Sequence, residues 1–314
     1  MSNNQSYSRL NTTAALSQES PFKQQMSGMK PGDNFPQFQL TQNELNALNN
    51  DGVQRVFINT TMEVEDSKNY IGQWTKDGRT RDGLGIMIWP DGSKYEGLWK
   101  NGKANGRGRM THANCDIYEG IWRDDKVNGF GIFIDTNSAR YEGQWVEDQQ
   151  HGHGQETWEN GAAKYTGDFY KGKKHGKGKF QWDDGSYYEG DFVYGQFEGF
   201  GKYFFADIEK VYQGEFRNSN MEGRGIEYWP DGRKYDGEFK NGKKDGEGTF
   251  EWPNGNKYIG SWRNGKQHGM GIWMEASEGG MKKQGEWLNG KRARWISGME
   301  LISQNSPAKN GQRI

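Results

Sequence analysis

The chain has 314 residues, with 47 glycines, 13 tryptophans, 15 tyrosines and 16 phenylalanines, yet a hydrophobic fraction of only 32%. Aliphatic residues are too few for a thick core, so the surface available for burial is flat and aromatic, suited to a thin structure whose rings cover one face. Lysine plus arginine (41) balances aspartate plus glutamate (42), and the net charge of −1 supplies no field to gather nucleic acid, so none is expected as a partner.

Residues 1–40 are rich in Ser, Asn, Gln and Thr, carry Pro21, Pro31 and Pro36, and have little to bury; they read as a disordered tail. The N-terminus lacks the apolar core of a signal peptide, and Ser2 stands where N-myristoylation requires glycine. No run approaches the ~20 apolar residues of a membrane span. Residues 41–69 read as a helix and cap. Thr41 and Glu44 have capping-box spacing, Leu45 and Leu48 follow, and Asn49-Asn50-Asp51-Gly52 stops the helix. Val56–Val64 has β character and predicts a first, imperfect strand.

From Tyr70 the chain repeats itself. Each unit opens Tyr-x-Gly-x-Trp/Phe, as in Tyr70–Trp74, Tyr95–Trp99 and Tyr118–Trp122, and recurs at Tyr141, Tyr165, Tyr188, Tyr212, Tyr235 and Tyr258 at a period of 23 to 25 residues. A tenth copy ending in Gly285-Glu286-Trp287 lacks the tyrosine. A Gly-x-Gly pair follows in each unit and is read as the start of its second strand, as in Gly106-Arg107-Gly108 and Gly246-Glu247-Gly248. The period of two puts Tyr95, Gly97 and Trp99 on one strand face, and likewise Tyr235, Gly237 and Phe239; Lys94, Glu96 and Leu98 take the other. Asn101-Gly102, Asn241-Gly242 and Asn264-Gly265 supply tight hairpin turns, and Pro90-Asp91-Gly92 and Pro230-Asp231-Gly232 lead into the next copy. Rings lying over strand glycines make one face an aromatic stripe, leaving the other polar and charge-balanced. The predicted fold is all-β: an elongated, twisted, single-layer antiparallel sheet of tandem hairpins over residues 70–287, with a C-terminal cap and tail over 288–314. The fifth-position ring is Trp in copies one to four, Phe at Phe169, Phe192, Phe216 and Phe239, then Trp again at Trp262 and Trp287; sequence alone offers no reason for that block.

These units resemble membrane occupation and recognition nexus (MORN) repeats, most closely in Pro90–Trp99 and Asn264–Gly271. The resemblance implies a scaffold of cilia, cytoskeletal collars or membrane–cytoskeleton junctions, with a radial-spoke-head-like role as one version; phospholipid binding is credited to some members. The turn glycine is missing at Asn114-Cys115, Asn137-Ser138 and Asp207-Ile208, so those connections are expected to be less regular.

The sharper chemical readings give way to structural ones. Gly-x-Gly lacks the third glycine and helix of a dinucleotide loop, and it recurs in every full copy. His151, His175 and His268 fill one turn slot and lack the clustering of a metal site. Glu96, Glu119, Glu142 and Glu189 fall on the polar face beside cations such as Lys94 and Arg140, which points to ion pairing rather than a catalytic dyad. Cys115, the lone cysteine, has no activating neighbour and fits a reducing compartment. No catalytic, cofactor or metal residue is assigned. The expected function is a non-enzymatic protein-interaction scaffold of the ciliary or cortical cytoskeleton, cytoplasmic, with a partner polypeptide or a second copy lying along the rings Trp145, Trp158, Trp182 and Trp252. The first alternative is a membrane tether binding anionic phospholipid through Lys171, Lys173, Lys174, Lys177, Lys179, Lys282 and Lys283. The second is a regulatory subunit of a catalytic partner.

Overall fold

A computed structural model describes residues 37–158, 161–277, 280–296 and 300–301. The predicted tail therefore lies outside the described residues up to position 36, as does the C-terminal segment from 302. The described chain forms two compact units, one reaching Gln149 and including Trp158, the other holding Gln150–Thr157 and the chain from Gly161.

In the first unit a helix α1 (Gln42–Asn49) precedes β1 (Arg55–Val64), β2 (Lys68–Thr75), β3 (Arg81–Ile88), β4 (Lys94–Lys100), β5 (Lys103–Thr111), β6 (Ile117–Arg123), β7 (Lys126–Ile134) and β8 (Arg140–Val146). Each strand pairs antiparallel with its chain neighbour. The second unit holds most of β9 (Gln149–Trp158), then β10 (Ala163–Tyr170), β11 (Lys173–Gln181), β12 (Tyr187–Val193), β13 (Gln196–Phe205), β14 (Lys210–Arg217) and β15 (Asn220–Tyr228). It continues with β16 (Lys234–Lys240), β17 (Lys243–Glu251), β18 (Lys257–Arg263), β19 (Lys266–Met274), β20 (Met281–Leu288), β21 (Lys291–Trp295) and β22 (Glu300–Leu301). Pairing again runs between chain neighbours, except that β22 returns to β20. The all-β tandem-hairpin fold predicted from the period of two is what the chain adopts. The capping box is present too: the Glu44 amide donates to Thr41 Oγ1, and the Thr41 amide donates back to Glu44 Oε2 at 2.7 Å.

The glycines divide into two jobs. Asn101 (φ 51) and Gly102 (φ 81) close the β4–β5 hairpin, and the ladder then slips between Gly97 and Trp99. Gly106 (φ 98) lies in the longer β5 segment opposite that slip, in the left-handed region that L side chains rarely adopt. The second strand therefore starts at the turn, three residues earlier than the Gly-x-Gly predicted. The second glycine of the pair is needed for room. In the first unit Gly85, Gly97, Gly108, Gly120, Gly131 and Gly143 sit opposite one another strand after strand; in the second the row runs from Gly167 to Gly285. A tyrosine lies flat across each glycine pair. A Cβ on Gly237 would fall 2.5 Å from the Gly248 Cα and 2.5 Å from the Tyr235 hydroxyl. That hydroxyl donates to the Glu238 carbonyl at 3.0 Å, and the same i to i+3 bond recurs from Tyr95 to Leu98 and from Tyr212 to Glu215.

The rings lock in series. Tyr95 meets Trp99 of its own copy and Trp122 of the next edge-on, both at 5.2 Å between centroids; Tyr235 meets Phe239 at 5.2 Å and Trp262 at 5.1 Å in the same way. Edge-to-face pairing of this kind adds roughly 0.5–1.5 kcal/mol per pair beyond burial. Where the ring is an indole its Nε1 donates to a glycine carbonyl of the preceding copy, as Trp99 does to Gly85 (3.2 Å) and Trp262 to Gly248 (3.2 Å). The Trp74 Nε1 has no such acceptor among the described residues.

The Phe block coincides with long or bulky partners, although partner volume does not account for every tryptophan. The residue opposite the fifth-position ring is small in the early copies (Ala104 against Trp99, Val127 against Trp122) and long in the middle ones (Lys174 against Phe169, Phe197 against Phe192, Met221 against Phe216, Lys244 against Phe239). A large ring faces a short partner and a smaller ring a long one; Trp262 opposite Gln267, and the outermost pairs Trp74–Arg81 and Trp287–Arg292, depart from the rule.

Two outcomes test the spine. Gly237→Val should lower stability by ~3 kcal/mol or more, since overpacking alone costs about 1–3, while Glu238→Ala on the other face should stay within about 0.5 kcal/mol; chemical denaturation reads both. Burial also pushes the ladder tyrosines far above their usual titration range, Tyr95 well above it and Tyr258 to about 12. A raised acid pKa stabilises the fold below the unfolded value of about 10 and is lost above it. Tyrosinate absorbance from the ladder tyrosines should therefore appear together with loss of β signal as pH rises past about 10, not as an independent titration of a folded protein.

Candidate functional site

In each unit, three rows of side chains run along the aromatic face. The innermost is the buried Tyr–Trp/Phe ladder. Next come the residues two after the spine glycine of the second strand: Met87, Met110, Phe133, Phe180, Tyr203 and Phe250, with Glu156 and Glu227 in the same slot. Outermost, two residues further on, stand Trp89, Trp158, Trp182, Phe205, Trp229 and Trp252, all half-buried. The turn into the next copy positions these rings: the Trp182 amide donates to the Ser186 carbonyl and the Gly185 amide to the Trp182 carbonyl, and Trp229 and Trp252 head turns of the same form. The predicted partner-binding tryptophans therefore fall in two rows. Trp158, Trp182 and Trp252 are outer-row rings. Trp145 is a ladder ring, edge-on to Tyr118 and Tyr141, with its Nε1 donating to Gly131.

The outer rings are partly covered by neighbours on the same face. Trp182 packs on Phe180 at 4.7 Å and Tyr203 at 5.3 Å, and Trp252 on Phe250 at 4.6 Å and Trp273 at 5.0 Å. In the first unit the face opens into a cleft of about 420 Å³, lined among others by Met87, Trp89, Met110, Trp122, Arg81 and Lys68. Arg81 stacks on Trp99 at 5.1 Å and donates through Nη2 to the Gly102 carbonyl.

Charge enters this face at the two glutamates. Glu156 pairs with Lys174 at 2.8 Å. Glu227 is 2% exposed and held by Lys210 at 2.6 Å and Lys244 at 2.5 Å. Desolvation lowers the Lys244 pKa from its ordinary value against the pull of Glu227. The cations also lie over rings: Lys244 is 4.7 Å from Trp229 and 5.0 Å from Tyr235, and Lys210 is 4.3 Å from Phe205. The glutamates were readable as carboxylates in an otherwise apolar slot, but the lysines that answer them come from other copies and became visible only with the register.

The opposite face departs from the uniformly polar surface expected. Cross-strand ion pairing was expected; Glu96 with Lys94 (2.8 Å) and Glu142 with Arg140 (3.0 Å) instead pair along one strand, while Glu189 meets Lys179 across strands at 3.8 Å. In the first unit, however, Ile117, Ile132 and Ile134 are buried there with Phe130 packed on them. Glu119 beside them is buried between Arg107 (2.8 Å) and Arg109 (2.6 Å). Arg107 reaches on to Glu44 of α1 at 2.9 Å, to the Gln39 carbonyl, and over the Phe38 ring at 4.7 Å. The helix and the residues before it thus attach to this face through Arg107. Glu119→Gln should cost ~3–5 kcal/mol in chemical denaturation, the penalty of removing one partner from a buried ion-pair cluster.

The copy-five lysines point three ways. Lys174 lies on the aromatic face, Lys177 and Lys179 are on the other face near Asp191 (2.6 Å) and Glu189 (3.8 Å), and Lys171 and Lys173 are exposed at the hairpin turn. Lys282 and Lys283 are successive on β20, and Lys283 sits over Trp295 at 5.5 Å. Of the turn-slot histidines, His175 lies between Tyr170 (5.6 Å) and Tyr194 (5.2 Å). Among the described residues no group of three or more His, Cys, Asp or Glu is placed to hold a metal.

A β-hairpin repeated in tandem, with a tyrosine on a glycine pair in each copy, defines the class of protein. Ten segments match the MORN repeat model, at residues 70–94, 95–114, 118–140, 141–163, 165–187, 188–207, 212–232, 235–257, 258–273 and 284–293, and the chain belongs to the MORN-repeat family. No curated protein matches it in sequence at a significant level. Among solved structures it is similar to the TCP10 domain of Danio rerio CPAP in complex with a STIL peptide, at 10% identity and a TM-score of 0.42, covering 78% of this chain and 100% of that one. It is also similar to the Drosophila melanogaster SAS-4 TCP domain in complex with a proline-rich motif of Ana2, at 13% identity and a TM-score of 0.27, covering 61% of this chain and 90% of that one.

Proposed function

We propose that this chain is a non-catalytic scaffold that receives an extended partner polypeptide along its aromatic face, in association with the cytoskeleton or a cilium. One observation carries the reading: the aromatic face of the second unit has an outer tier of rings, Trp182, Trp229 and Trp252, beyond the ladder that holds the sheet together. Half-buried rings flanking a cleft, with a few placed cations and backbone groups, are the usual make-up of a polypeptide site. Membership of the MORN-repeat family supports the scaffold role and motivates the cytoskeletal assignment.

The test uses outer-row rings alone, because Trp145 belongs to the ladder and its removal would confound binding with folding. Trp182→Ser combined with Trp252→Ser should abolish recovery of the in vivo partner by crosslinking and affinity purification, with the β circular dichroism unchanged. Neutralising Lys171, Lys173, Lys177 and Lys179 should leave both recovery and detergent-resistant pelleting intact. Loss of localisation in the lysine variant, with normal behaviour of the ring variant, would instead favour a tether to anionic phospholipid.

A further inference from the structure

The cluster around Glu227 has one cation more than its structural role requires. Glu227 occupies a slot that Met, Phe, Tyr or Trp fills in most other copies, so its carboxylate is desolvated and needs a counter-charge. One lysine supplies it, as Lys174 does for Glu156. Here two lysines converge, each taking one carboxylate oxygen, with side chains only 14% and 15% exposed. Arg233 joins them over Trp229, at 5.4 Å from the ring, and is itself matched by Asp231 at 2.7 Å. Glu222, on the same strand as Glu227, is engaged by the Asn241 amide at 2.9 Å. Lys244 therefore has Glu227 on one side and the cations Lys210 and Arg233 on the other, so two lysines share one buried carboxylate beside the Trp229 and Phe205 rings.

A second desolvated ammonium destabilises the free protein, and the lowered Lys244 pKa reflects that. A carboxylate brought by a ligand would give the two lysines a second partner and gain charge-assisted hydrogen bonds in a partly dry site, while the Trp229 and Phe205 rings offer apolar contact on either side. We propose that Lys210 and Lys244, backed by Trp229, form a recognition pocket for an aspartate or glutamate side chain of the docked polypeptide, next to an apolar or aromatic residue of that same segment. The proposal rests on the aromatic-face reading and adds to it a chemical requirement on the partner.

The test is a selection of displayed random peptides against the full chain, followed by titration of the selected peptide against variants. The expected consensus carries an acidic residue within about three positions of an aromatic one, matching the ~3.3 Å rise of an extended strand. Lys244→Met leaves Glu227 paired with Lys210 and should fold, yet weaken the selected peptide about tenfold, the loss of about 1.4 kcal/mol expected for one charge-assisted contact. Glu227→Gln should act in the opposite direction and tighten binding of the same peptide; if that variant does not fold, Lys244→Met decides alone. A consensus without an acidic residue, bound equally by the wild type and Lys244→Met but lost in Trp252→Ser, overturns the carboxylate pocket and leaves the aromatic-face reading standing. Failure to select any peptide that depends on Trp252 overturns both.

Discussion

A tyrosine laid flat over a pair of facing glycines is the contact on which the rest of this structure depends. A single sheet layer has no second layer to bury against, so it must find its core within its own thickness. Deleting two side chains opposite each other makes a trough, and the neighbouring phenol fills it with its hydroxyl closed onto the backbone three residues on. Every other regularity follows. The ring two residues after each spine glycine can then stand edge-on between successive tyrosines, and the bulge glycine restores the register consumed in placing it. No copy completes this arrangement alone, because each tyrosine needs the aromatic of the next copy, which is why the unit occurs in series.

That geometry also explains how much was legible in the sequence. Tyr95, Gly97 and Trp99 alternate cleanly, so the face and the strand pairing could be read directly from the period of two, and the Thr41–Glu44 spacing marked the helix start. Three features lay beyond such a reading. The strand onset before Gly106 was hidden because a bulge, not a turn, demanded its positive φ. The pairing of Trp99 with Ala104 and of Phe239 with Lys244 needed the slipped register before volumes could be compared. Lys210 and Lys244 each lie 17 residues from Glu227, one on either side, and only the strand order brings the three together. The opposite face was misread for the same reason. It was expected to be polar and charge-balanced, and only the strand pairing gathers Ile117, Ile132 and Ile134 and sets Arg107 beside Glu119 and α1.

The two faces consequently carry different duties. The opposite face of the first unit is used internally, to seat α1 through Glu44 and Phe38 on Arg107. The aromatic face has an inner ladder that holds the strands together and an outer row of half-buried rings, set by turns of backbone hydrogen bonds and packed on Phe180, Tyr203, Phe250 and Trp273 with part of their surface open. Part-open large rings side by side on one face are the mark of a surface used for contact.

Site-specific photocrosslinking in the living source cell tests that division most directly. A benzophenone side chain is placed at Trp182 on the aromatic face and, in a separate variant, at Phe200, which is 54% exposed on the other face. The account predicts one discrete polypeptide adduct from position 182 and none from position 200. A discrete adduct from position 200 with none from 182 would contradict it, since the exposed surface in use would then be the face opposite the second tier of rings.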